Sequence, residues 1–369
     1  MQVVASVGEV SGDQILAPIL ARLGEQHPIS VSGIAGPAMI ESGVYPLYPM
    51  ERLSVMGLLE VLPRVPELLS MRRAMVEYLR AATPKALITC DAPDFNLPLC
   101  GAAKQQGIPA IHVVSPSVWA WRRNRIPKIS AQLDLLLCLF PFEPALYAGT
   151  GLNTVFIGHP LATQITFNPE SKVARLQLNL PEDGPCVALL PGSRQGEVGR
   201  LLPLFLAAFD LAHAQRSDLH GVIPAATPSL HTLISAAVGT RPITVIHGQS
   251  RTAMAAADAV LLASGTAALE SVLTGRPTVA AYRMNPWTYR WVKSRLRSEF
   301  VTLPNFIAGH ALIPELIQDA ATPKALSAEV LAALDAGASD AFLLDARAIH
   351  SQLSGPVTER AAEAIGAML

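Results

Sequence analysis

The sequence predicts an α/β protein made of two doubly wound parallel domains, and three observations carry that prediction. Short, near-continuous apolar runs end in Gly, Pro, Asp or Ser, as strands buried on both faces do. Between them lie helix-length segments with apolar residues at every third or fourth position. The alternation comes in two series separated by the polar stretch "TFNPESKVARLQLNLPEDGP", and 369 residues suit two domains that each bury a core.

In the first series "MQVVASV", "SVSGIAG", "ALITCDAP", "AIHVVSP", "LDLLLCLF" and "TVFIGH" read as strands, giving a domain over residues 1–160 that closes near Gly158, His159 and Pro160. The second series, "CVALLPGS", "LHGVIPAA", "ITVIHG", "DAVLLASG" and "PTVAAYR", gives a domain over 161–325, with "EVGRLLPLFLAAFDLAHA" as its clearest helix. Residues 326–369, rich in Ala and Leu at helical spacing, read as closing helices that pack on their own first domain or on a partner's.

Composition removes several classes of function. The 28 basic and 29 acidic residues leave a net charge of −1, so nothing draws the chain generally to nucleic acid. Half the residues are apolar and only 15% are charged, with a mean hydropathy of +0.35. Yet no apolar run reaches the roughly 20 residues of a spanning helix, and the N-terminus lacks the pattern of a signal peptide. The expectation is a cytosolic protein, free or resting on a membrane. Cys90, Cys100, Cys138 and Cys186 have no C-x-x-C spacing and sit in apolar surroundings, which predicts buried, reduced thiols. Without an H-E-x-x-H, an EF-hand or a Cys/His cluster, no metal and no cofactor are expected.

Ligands of open parallel sheets bind beyond the carboxyl ends of the strands, so polar residues just after the strands are the candidates. Four groups stand there. The opening turn "GEVSGD" brings Glu9, Ser11 and Asp13 beside two glycines; its spacing is too short of glycines for a dinucleotide fingerprint and a plain tight turn is one reading, but three polar side chains within five residues favour a ligand. "TCDAPDFN" places Asp91 directly after a strand with Asp94 and Asn96 close behind; either aspartate could cap the next helix, and a carboxylate there is also a natural general base. "LLPGSRQGEV" is a strand, a Gly192–Ser193 turn and a helix, with Arg194 between, a combination that suits a diphosphate. "LLASGTAALES" repeats that plan with Ser264, Gly265, Thr266 and Glu270. Either of these last two turns could be an ordinary Ser or Thr cap, but both occurring in one domain favours anion binding.

The motifs "GEVSGD", "GIAGPAM", "SVMGLLEVL", "DAPDFN", "VSPSVWAWR", "FIGHP", "LLPGSRQGEV", "LLASGTAALE" and "YRMNPWTY" followed by "LPNFIAG" resemble, in order and spacing, the lipid A disaccharide synthase family, from about Val3 to Ile317. The resemblance implies an inverting, metal-independent glycosyltransferase with two facing Rossmann-like domains, the glycosyltransferase B-type fold. It implies transfer of 2,3-diacylglucosamine from its UDP derivative to 2,3-diacylglucosamine 1-phosphate, peripheral attachment to the inner face of the cytoplasmic membrane, and permits a homodimer. Residue by residue, it places the catalytic aspartate on Asp91 and the glutamate and serine of the first turn on Glu9 and Ser11; Asp13, in the same turn, is the reserve candidate for the base. The donor-site arginine falls on Arg194, the donor-domain glutamate on Glu270 and the asparagine of the "LPN" motif on Asn305. The nucleotide then belongs to the second domain, while the first turn serves the reacting end of the donor and the acceptor. Val10, where the family often has Ala, and the shorter N-terminus are the visible departures, and neither removes a polar group. A nicotinamide dehydrogenase would use similar domains but needs a third glycine in its first turn and an acidic residue after the second strand. A non-catalytic two-lobed binding protein remains the other alternative.

The last expectation is a lipid contact. Ahead of Pro66, Val55, Met56, Leu58, Leu59, Val61 and Leu62 form a dense apolar group around Gly57, with Arg64, Arg72 and Arg73 nearby, as suits a surface that meets anionic headgroups and acyl chains. From Pro66 onward the apolar spacing is that of a core-facing helix.

Overall fold

The computed structural model describes residues 1–53, 64–121, 123–284 and 299–369. Two compact units divide the chain: Met1–Pro160 with Leu353–Leu369, and Leu161–Gln352.

The first unit is a seven-stranded parallel sheet. Its strands are β1 (Gln2–Val7), β2 (Ser30–Ala35), β3 (Tyr45–Pro49), β4 (Ala86–Cys90), β5 (Ala110–Val113), β6 (Leu135–Cys138) and β7 (Asn153–Phe156), in the order β3-β2-β1-β4-β5-β6-β7. β4, β5 and β6 are buried throughout, which is why they read as unbroken apolar runs. β3, "YPLYP", was not among the expected strands. It lies at the sheet edge and is half exposed, the one setting where a strand tolerates two prolines.

The second unit is a six-stranded parallel sheet in the order β10-β9-β8-β11-β12-β13. It comprises β8 (Cys186–Leu190), β9 (His220–Ala225), β10 (Ile243–His247), β11 (Ala259–Ala263), β12 (Thr278–Tyr282) and the three-residue edge strand β13 (Glu315–Ile317). The helix Gln195–Gln215 covers one face, burying Val198, Leu201, Leu202, Phe205, Phe209 and Ala212 at helical spacing against Val187, Leu189, Ile223 and Leu261.

The C-terminal residues do not act as one block. Helix Pro323–Ala336 buries Leu326 and Val330 in the core of the second unit and packs on helix Gln195–Gln215. Helix Val357–Gly366 belongs to the first unit, where it buries Ala361, Ala362 and Ile365 and packs on helix Val10–Gln26. All four cysteines are buried and unpaired. Among the described residues no helix is long and apolar enough to cross a membrane.

One buried cation ties the second unit together. Arg175, 5% exposed, donates to the carbonyls of Ala256, Glu182 and Gly184 and, at 2.7 Å, to Asp258, which also accepts from the Cys186 N–H. Arg175→Met keeps the apolar stem and leaves those acceptors without their donor. The expected cost is about 3 kcal/mol, at the lower end for a broken buried pair because Asp258 is 40% exposed. Urea unfolding checks it, and an unchanged midpoint would contradict the role.

Candidate functional site

In each sheet the strand order reverses once, between β1 and β4 and between β8 and β11. Crossovers leave in opposite directions at that point and open a crevice beyond the strand ends. The four polar turns read from the sequence follow β1, β4, β8 and β11, so all of them lie at a switch point.

Asp91 is the first residue beyond β4. The backbone is left-handed at both Asp91 and Ala92, with φ of 52° and 39°. This turn brings the carboxylate against the end of β1, where Oδ1 accepts from the Gly8 N–H at 2.8 Å and Oδ2 from the Glu9 N–H at 3.2 Å. The close approach explains the opening glycines. A Cβ on Gly12 would fall 1.7 Å from Asp91 Oδ2, so no other residue fits there. Burial pushes the Asp91 carboxyl up to about 7; the Gly8 N–H works against that shift and the Glu9 charge adds to it. A carboxyl poised near neutrality can hold or give up a proton under working conditions.

The neighbouring candidates separate into two kinds. Glu9, the residue just ahead of helix Val10–Gln26, and Ser11 in its first turn are exposed. Asp94 is exposed in the first turn of helix Pro93–Gln105, with the Arg125 guanidinium 2.8 Å away. Asp13 departs from the expectation. It is 2% exposed and accepts from the N–H groups of Gly36, Ala38 and Met39, so it caps the helix Pro37–Glu41 and presents no oxygen to an acceptor. Its reserve role as base is withdrawn.

The second switch point carries a pocket of about 500 Å³. Gly192, Ser193 and Arg194 line it from the turn after β8, and Ser264, Gly265, Thr266 and Glu270 from the turn after β11. The helices Gln195–Gln215 and Thr266–Leu273 start here and turn their first N–H groups toward it. Gly192 has a φ of 121°, and a Cβ on it would meet Glu197 Cβ at 2.7 Å, so the sharp turn needs glycine on both counts. Arg194 is 61% exposed, 3.6 Å from Glu197. Glu270 is held by Arg251, whose Nε donates to Oε1 at 3.0 Å while its Nη1 reaches Gln164 at 3.1 Å.

Sequence reasoning missed Glu197, Pro224, Ala226, Gly248, Ser250 and Tyr282, which also line this pocket. Their signal was position: Pro224, Ala226, Gly248 and Tyr282 stand at or just past the ends of β9, β10 and β12. Asn305 does not belong with them. It is 1% exposed, its amide donates to the Ile313 carbonyl and to Glu315 Oε1, and its carbonyl oxygen accepts from the Ile313 N–H. With Glu315 also accepting from Val301 and Thr302, the "LPN" asparagine fastens its own loop and leaves no group for a donor.

Met56, Leu58 and Leu59 lie outside the described residues. Of the basic residues near them, Arg64 pairs with Glu67, Arg72 donates to the Asp94 carbonyl at 3.5 Å, and Arg73 is exposed on helix Val65–Ala82. That helix buries Met71, Met75 and Leu79, as a core-facing helix should.

Two parallel doubly wound sheets in one chain, with polar loops at both switch points, define the glycosyltransferase B-type fold. Solved structures of that architecture superpose over the whole chain. Acinetobacter baumannii MurG has a TM-score of 0.60 at 14% identity, covering 99% of each chain. The calicheamicin glycosyltransferase CalG4 has 0.61 at 14%, covering 100% of this chain and 98% of its own. At the level of sequence, the family model described as lipid-A-disaccharide synthetase matches residues 3–365. The lipid-A-disaccharide synthase of Pseudomonas aeruginosa strain UCBPP-PA14 is 45% identical over 369 residues, covering 99% of this chain and 97% of the relative. That of Azotobacter vinelandii is 43% identical over 371 residues, with 99% and 97% covered. The chain belongs to the lipid-A-disaccharide synthetase family.

Proposed function

We propose that this glycosyltransferase transfers 2,3-diacylglucosamine from its UDP derivative to 2,3-diacylglucosamine 1-phosphate, releasing UDP and forming the acylated disaccharide phosphate of lipid A. The observation that carries the mechanism is the Asp91 carboxyl, anchored by two backbone N–H groups at a switch point and poised near pH 7. Asp91 takes the proton of the acceptor hydroxyl as its oxygen forms the new bond to the anomeric carbon. The bond from that carbon to the UDP oxygen breaks on the opposite side, so the configuration inverts. Negative charge collects on the departing diphosphate. Arg194 and the two helix N-termini of the second unit stabilise it, a role for which their convergence on one pocket is suited. Glu270, oriented by Arg251, accepts from hydroxyls of the nucleotide's sugar. Glu9, Ser11 and Asp94 contact the acceptor.

The chain has no D-x-D pair of the kind that holds a metal on a nucleotide sugar, so the leaving group depends on Arg194 and the helix dipoles. Mixing the protein with both substrates in EDTA is therefore expected to release UDP in step with disaccharide, at the rate seen without chelator. No UDP, or UDP only after magnesium or manganese is returned, would overturn the reading.

Both substrates carry acyl chains at home in a bilayer, and the protein works as a peripheral protein on the inner face of the cytoplasmic membrane. The apolar group at Met56, Leu58 and Leu59, flanked by Arg64, Arg72 and Arg73, supplies the contact. Replacing Arg72 and Arg73 with Ser is expected to weaken co-sedimentation with anionic vesicles by several-fold and leave neutral vesicles unaffected. Equal binding before and after would reject these arginines as the basic flank.

A further inference from the structure

We propose that Asn96 is the positioning residue for Asp91: its buried amide clamps the left-handed turn that aims the carboxylate at the end of β1. The inference rests on the reading of Asp91 as the base and goes beyond it, to how that base is held.

Left-handed backbone is costly for a residue with a Cβ, and Asp91 and Ala92 adopt it in succession. Something must compensate. Asn96 is fully buried one turn into helix Pro93–Gln105. Its Nδ2 donates to the Cys90 carbonyl at 3.1 Å and to the Asp91 carbonyl at 3.0 Å, the carbonyl that leads into the bend and the one within it. Its Oδ1 accepts from the Ser6 hydroxyl at 2.7 Å, and Ser6 itself is fully buried in β1. One side chain thus joins the end of β4, the bend after it and the strand that supplies Gly8 and Glu9. Asn96 is fully buried and its polar contacts are Ser6, Cys90 and Asp91, so it bears on the site through Asp91 and not by touching a ligand itself.

If the turn relaxes, the carboxylate swings away from the Gly8 and Glu9 N–H groups and into water. Burial is the largest cause of its raised pKa, so the acid limb of the activity profile must move down with it. A residue that merely stabilised the fold would not move that limb.

The test compares Asn96→Ala with wild type, with Asp91→Asn and with the double variant N96A/A92G. Asn96→Ala is expected to lower kcat by roughly 30- to 100-fold, to leave KM for both substrates within about twofold, and to shift the acid limb down by more than one pH unit. Glycine at position 92 adopts the left-handed bend without penalty, so the double variant should recover most of the loss. Should N96A fail to fold by circular dichroism, Asn96→Asp takes its place: it keeps the shape and lacks the N–H donors, and Ala92→Gly is combined with it in the same way. A kcat within threefold of wild type, or an unmoved limb with no recovery on adding A92G, overturns the clamp while a dead Asp91→Asn leaves the base standing. If Asp91→Asn itself stays within tenfold of wild type, the base reading fails and the clamp falls with it.

Discussion

Asp91→Asn is expected to lower kcat by about 10²- to 10⁴-fold, the range that a positioned general base contributes. The substitution keeps the side chain's shape and an oxygen for the Gly8 N–H, and removes the capacity to accept a proton together with the bond from the Glu9 N–H. Because donor and acceptor contacts lie elsewhere, KM for both substrates should change little. The pH dependence supplies a second readout. The Asp91 carboxyl is held up to about 7 by burial, so a fraction of the enzyme is protonated at neutrality and that form cannot accept the hydroxyl proton. In wild type, kcat/KM should therefore fall as pH drops through about 7, approaching tenfold per unit below it, and level off above. In the Asn variant the residual activity should lack this limb. Turnover within tenfold of wild type, or an acid limb surviving in the variant, would move the base elsewhere. Asp13 would not replace it, since its oxygens are engaged by three N–H donors.

Most of this architecture was legible because buried parallel strands carry an unambiguous signature. β6, β8 and β11 are apolar from end to end, β4 and β5 carry one buried polar residue each, Thr89 and His112, and the runs stop at Gly, Pro, Asp or Ser. The two strands that escaped, β3 and β13, are edge strands paired on one side only, so composition there is set by solvent and by proline as much as by a core. The site divided along a similar line. Turns at the switch points could be located because polar residues crowd after apolar runs, and the candidates Asp91, Arg194 and Glu270 lie in or just after those turns. What the sequence could not report is where a polar side chain points. Asp13 and Asn305 look like ligand-binding residues by type and position, yet both are buried and bonded to backbone, Asp13 to the N–H groups at the start of helix Pro37–Glu41 and Asn305 to Ile313 of its own loop. Asn96 shows the reverse: an asparagine between Phe95 and Leu97 carries no pattern, and its meaning depends on two left-handed residues that no periodicity predicts. The opening glycines likewise showed only a turn, and that the space beside Gly12 is filled by Asp91 could not be read from them.

Arg194→Ala is expected to lower kcat by about 10²- to 10³-fold, the scale of losing one donor aimed at a developing negative charge. The diphosphate is bound before the reaction and gains charge as the anomeric bond breaks, so a cation beside it acts most strongly in the transition state. The geometry behind this expectation is that Arg194 sits between β8 and helix Gln195–Gln215, on the pocket wall, with a side chain 61% exposed and Glu197 at 3.6 Å, a separation too long for a tight bidentate pair. Glu197 thus orients the guanidinium without occupying it. Removing the guanidinium should cost far more in kcat than in donor KM, because the helix N-termini still hold the ground-state diphosphate. Lysine restores the charge but not the planar fork, so Arg194→Lys should recover only part of the loss. UDP as a product inhibitor gives an independent reading: its inhibition constant should rise in both variants, and more in the Ala variant. If Arg194→Ala instead raised donor KM alone, with kcat and UDP inhibition unchanged, the arginine would contribute to substrate capture only, and the leaving group would depend on the two helix ends.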